Sequence, residues 1–83
     1  MSTCFKNYVF NALRSLHGQQ SHIEHQLERV VLELEVLEEP EFLNNSYDHR
    51  REILSTRREL FNKALEHIEE LCNTLESVIN EIY

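Results

Sequence analysis

Apolar residues recur at alternating steps of three and four along two stretches of the chain, one on each side of its only proline, Pro40. The first series is Val9, Leu13, Leu16, Gln20, Ile23, Leu27, Val30, Leu34 and Leu37. The second is Tyr47, Arg50, Leu54, Arg57, Phe61, Ala64, Ile68, Leu71, Leu75, Val78 and Ile82. A mean step of about 3.5 residues is the signature of a coiled-coil seam. The pattern therefore predicts an all-α fold, an antiparallel two-helix hairpin forming a single domain over residues 1–83. One helix is expected over about 4–38, a connection over about 39–46 and a second helix over about 47–82. Arms of this length, roughly 50 to 55 Å at the helical rise, can pair from end to end.

Local signals refine the boundaries. Ser2 or Thr3 can cap the first helix. The only glycine, Gly18, lies in His17-Gly18-Gln19-Gln20-Ser21-His22, and Ser21 with Glu24 has the form of a capping box. Leu16 and Ile23 nevertheless stay in phase across it, so one continuous helix is expected, weakened at Gly18 by about 1 kcal/mol. Glu39 precedes a proline and so disfavours helical geometry, and Pro40 can open a short turn. Asn44, Asn45 and Ser46 supply turn and capping chemistry, with Asn45 and Asp48 a plausible start for the second helix.

If the chain turns near residue 42, positions whose numbers sum to about 84 should face one another. Leu13 then meets Leu71, Leu16 meets Ile68, Ile23 meets Phe61 and Val30 meets Leu54. Gln20 falls opposite Ala64, where its amide can fix alignment. Arg50 and Arg57 occupy seam positions near the turn, and with Arg51 and Arg58 they are expected to pair with Glu24, Glu28, Glu33, Glu35 and Glu38 of the first helix. Phe5, Tyr8 and Phe10 should close the open end beside Val78, Ile79, Ile82 and Tyr83, with order almost to the terminus.

Filling the seam leaves apolar residues over: Phe10, Val31, Leu32 and Val36 in the first helix, and Ile53, Leu60, Leu65, Cys72 and Ile79 in the second. An apolar surface wider than a two-helix seam requires points to a third contact. A protein partner or a second copy completing a four-helix bundle would satisfy it. The candidate partner-binding residues are Val31, Leu32, Val36, Ile53, Leu60, Leu65 and Ile79.

Composition narrows the function classes. Fifteen acidic against eight basic side chains give a net charge of −7, which disfavours nucleic acid and anionic membranes as partners. No apolar run approaches a membrane span and no secretory signal is apparent, so a soluble cytoplasmic protein is expected. Two cysteines, Cys4 and Cys72, are staggered too far along the hairpin to bond and read as free thiols. Five histidines include His22 and His25 at a spacing of three. His17, His22 and His25 lie mostly off the seam, and the paired Glu-x-x-His pattern of carboxylate bundles is missing, so no metal site is expected. With no phosphate loop, nucleophile elbow or Cys-x-x-Cys, neither an enzyme, a cofactor nor a small-molecule substrate is expected.

The succession of helix, polar connection Glu39-Pro40-Glu41-Phe42-Leu43-Asn44-Asn45-Ser46-Tyr47 and a helix ending in Leu75 to Tyr83 resembles the small co-chaperones of bacterial type III secretion needle subunits. That resemblance is one of architecture over nearly the whole chain. It implies a partner chaperone and a sequestered, aggregation-prone secreted subunit held by the spare apolar face. The residues thus point to a non-enzymatic interaction module, a small adaptor or chaperone-like protein. A self-associating structural homodimer and an acidic inhibitor that mimics nucleic acid are the alternatives.

Overall fold

The computed structural model describes residues 3–82. Helix α1 spans Thr3–Leu37 and helix α2 spans Asp48–Ile82, each of 35 residues. Two single-turn 3-10 helices, Pro40–Phe42 and Asn45–Tyr47, connect them. The result is an all-α hairpin measuring 61 × 15 × 15 Å. Capping by Ser2 and ordering of Tyr83 fall outside the described residues.

The core is a single row of contacts between the two helices, gathered into two clusters. Toward the open end Leu13, Ile68 and Cys72 are buried, with Leu16, Ile23, Leu75 and Ile79 packed against them. Toward the turn Val30, Leu37 and Leu54 are buried, flanked by Leu34, Phe42, Tyr47 and Phe61. Every member of the expected α1 series is at least half-buried, Gln20 included. The Gln20 amide lies 3.4 Å from His17 Nδ1 on its own helix, rather than reaching across to Ala64.

On α2 the phase of the seam differs from the strict 3.5-residue series. Leu71, expected opposite Leu13, is 41% exposed, while Cys72 takes the buried position at 5%. Arg50 and Arg57 are likewise exposed, and Leu65 and Ile79 are half-buried. An α-helix has 3.6 residues per turn, so a row drawn at seven-residue steps drifts by about 20° per heptad. Leu54 and Cys72 are eighteen residues apart in the sequence, which is five full turns at 3.6 residues per turn. A nearly straight helix therefore presents both to the same neighbour. Ile79, seven beyond Cys72, joins them and belongs to the hairpin seam.

Helix α1 passes through Gly18 without interruption. Its φ is not positive, and a Cβ built there meets nothing within 4 Å. The backbone thus requires glycine neither for conformation nor for close approach. Leu16 and Ile23, on either side, pack against the same cluster, and that shared contact holds the weak segment helical.

The turn is built from side chain and backbone together. Glu39 is extended (φ −65°, ψ 145°) ahead of Pro40, which opens the first 3-10 turn. Asn44, rather than Asn45, is the capping residue: its Oδ1 accepts from the Ser46 amide at 2.9 Å. A second 3-10 turn inserted before α2 moves the cap one position earlier. Phe42 and Tyr47 meet edge to face at 5.1 Å and close the lower cluster.

Arg51 ties these pieces to each other. Its Nη1 donates to the Phe42 carbonyl at 2.7 Å and to the Leu37 carbonyl at 3.4 Å. Its Nη2 donates to the Asn44 carbonyl at 2.8 Å and to Asp48 Oδ1. Leu37 ends α1, so its carbonyl is one of those left without an intrahelical partner, and a cation is favoured there. The expectation of a glutamate partner on α1 is corrected here, because the planar fork reaches several carbonyls of the turn at once.

Two stability measurements check this account. Gly18→Ala should raise stability by about 1 kcal/mol, seen as an increase in melting temperature of roughly 4 to 8 °C by circular dichroism. Arg51→Met should cost about 2 kcal/mol in urea unfolding, and Arg51→Lys should recover little of it because an ammonium cannot reproduce the fork.

Candidate protein-interaction surface

Of the seven apolar residues expected outside the seam, three stand in solvent: Leu32 at 54% exposure, Val36 at 47% and Leu60 at 60%. Val31, Ile53 and Leu65 are half-buried, and Ile79 packs against the upper core cluster. The surface is thus smaller than the pattern of leftover residues implies, and it is divided.

A groove beside the seam near the turn is lined by Gln26, Arg29, Val30, Leu32, Glu33, Arg50, Leu54 and Arg57. Arg57 also borders an adjoining depression with His49, Glu52, Ile53 and Thr56. Leu32 of α1 and Ile53 of α2 therefore flank the same arginine on one side of the hairpin. Val36 lies one turn beyond Leu32, and Leu60 two turns beyond Ile53, so helical spacing keeps both on that side. Val31 is rotated by about 100° from Leu32, and Leu65 by about 140° from Leu60, which turns them away from that side.

Charge is unevenly used there. Arg50 and Glu33 form a two-pronged pair across the hairpin, with Nη2 at 2.6 and 2.9 Å from the two carboxylate oxygens and Nε at 3.0 Å from the first. This is the cross-hairpin pairing expected of Arg50. Arg29, Arg57 and Arg58 make no ion pair among the described residues. Free guanidinium groups beside Leu32 and Ile53 suit a partner that offers both apolar side chains and carboxylates.

Five further exposed apolar residues are missed by the pattern or placed elsewhere by it. The 3.5-residue series places Leu71 in the seam, whereas a 3.6-residue period turns it outward. Leu43 sits exposed in the turn and follows no periodicity. At the open end Val9 is buried, whereas Phe5, Tyr8 and Phe10 are exposed; the side chains of Ile82 and Tyr83, which they are expected to meet, lie outside the described residues. Tyr8 and Phe10 are each displaced by about 100° from Val9, on opposite sides. The Lys6 ammonium lies 6.0 Å from the Phe10 ring centre. Both cysteines are free, Cys4 exposed and Cys72 buried.

Among the described residues no group of three or more His, Cys, Asp or Glu side chains is placed to hold a metal ion. No described helix is long and apolar enough to cross a membrane. No protein-family model matches the chain, and neither a curated protein nor a solved structure shows significant similarity to it. The class the geometry defines is an all-α helical hairpin with exposed apolar residues beside its seam.

Separation of packing from surface can be measured directly. Leu54, 1% exposed, should cost about 2 to 5 kcal/mol when replaced by alanine. Leu32→Ser should leave the unfolding free energy of the isolated chain within about 0.5 kcal/mol. A large loss at Leu32 in urea titration would assign that residue to the fold.

Proposed function

We propose that this chain is a non-enzymatic protein-interaction module, a small adaptor or chaperone-like protein that binds a helical partner through apolar residues outside its seam. The observation that carries the reading is the placement of Leu32 and Ile53 on either side of the unpaired Arg57, with the exposed Val36 and Leu60 one and two turns further along their helices. Solvent-exposed leucines of this kind do little for a two-helix fold and become stabilising when another helix covers them. A partner helix with apolar residues at steps of three and four would lie along the groove, its carboxylates meeting Arg29 and Arg57. The glutamate-rich remainder keeps the unoccupied protein dispersed in what we take to be the cytoplasm. In the chaperone form of the reading, the bound helix belongs to a subunit that would otherwise aggregate.

The test is isolation of the native complex and measurement of binding to its purified component. Leu32→Glu with Val36→Glu should weaken that binding by at least about thirtyfold, the equivalent of one hot-spot residue at about 2 kcal/mol. Helix content and melting temperature should stay unchanged. A complex undiminished by these substitutions rules the surface out.

A further inference from the structure

The α2 flank of this surface has a symmetry of its own. Ile53, Leu60, Ala64, Leu71 and Val78 follow one another at steps of seven, four, seven and seven, a second apolar stripe beside the hairpin seam. Leu60 and Leu71 are exposed, and the other three are half-buried. Read in reverse about a point between residues 65 and 66, four of its five members map onto one another, and only Ala64 falls on a residue outside the stripe. Ile53 falls opposite Val78, Leu60 opposite Leu71, and the small Ala64 opposite His67. These are the layers an antiparallel helix pair forms around a two-fold axis.

Charge has the same sense. Residues 48–63 carry five basic and three acidic side chains, a net of +2. Residues 64–82 carry five glutamates and no Lys or Arg, a net of −5. Antiparallel pairing of two α2 helices brings each basic half beside an acidic half. Parallel pairing would set like halves together, with Arg57 beside Arg57.

We infer that the α2 flank is covered by the α2 flank of a second copy, in an antiparallel two-fold dimer that forms a four-helix assembly. This inference rests on the interaction-module reading and names the occupant of the α2 part of its surface. The α1 residues Leu32 and Val36 are not among the layers of the stripe.

Sedimentation of the full chain tests the state, and a cross-link tests the geometry. The wild type should sediment at twice the monomer mass, and Leu60→Glu with Leu71→Glu should return it to 10.0 kDa with its helical signal intact. In a Cys4→Ser background, Leu60→Cys together with Leu71→Cys, oxidised with diamide, should join position 60 of one copy to position 71 of the other. Within one chain these positions are about 16 Å apart along the helix, too far to bond. A wild type that stays monomeric up to about 1 mM overturns the inference, as does a dimer indifferent to the glutamates or a bond joining position 60 to position 60. If the double glutamate variant loses its helical signal, the cross-link alone decides. Monomeric wild type whose native complex still disappears on Leu32→Glu with Val36→Glu would remove self-pairing and leave the interaction reading standing.

Discussion

The guanidinium of Arg51 lies where α1 ends and α2 begins, and the register of the hairpin depends on it. By holding the Leu37, Phe42 and Asn44 carbonyls together, it sets the height at which α2 starts beside α1. Once that height is set, Leu54 meets Val30 and Leu37, Arg50 reaches Glu33, and Cys72 arrives beside Leu13. Sliding α2 along α1 would part all of these at once. A two-helix pair has little else to resist such a slide, because each helix has a single neighbour and most apolar contacts are interchangeable leucines, isoleucines and valines.

Charge along the chain reinforces the antiparallel arrangement at the expense of each helix taken alone. Residues 3–20 hold Lys6 and Arg14 and no acid, while residues 21–37 hold four glutamates against Arg29. Helix α2 repeats this polarity, basic first and acidic second. Within an isolated helix that order opposes the macrodipole at the C-terminal end, which favours bases, although α2 opens on a favourably placed Asp48. No basic residue occupies the last turn of either helix. The distribution is thus costly locally and favourable only when a second helix runs the other way, which ties the fold to pairing rather than to helical propensity.

Much of the architecture was legible in the sequence because its signals are local. Pro40, the asparagines after it and the three-four series defined two helices and one turn to within a residue or two. Continuity through Gly18 also followed, from Leu16 and Ile23 staying in phase. What escaped was the rotation of α2 about its own axis. A 3.5-residue count and a 3.6-residue helix agree over two turns and disagree by a whole position over ten, so Leu71 and Cys72 exchanged roles and Ile79 moved into the seam. Arg51 escaped for a different reason: its partners are backbone carbonyls of the turn, and no side-chain pattern announces them.

The same rotation decides what remains for binding. Had the 3.5-residue row held, Leu71 would be core, and Ile53, Leu60, Leu65, Cys72 and Ile79 would be the residues left over on α2. Turning α2 by one position buries Cys72 and brings out Leu71, extending the flank toward the open end and giving Leu60 a counterpart across the midpoint of the stripe. A thiol serves well in the buried place, since cysteine packs as a small hydrophobe and lets Leu13 approach. The larger leucine is left outside, where a lone hairpin gains little from it and a covering helix gains a full side chain of apolar contact. One step of helical phase thus transfers apolar area from the hairpin seam to a surface suited to another chain.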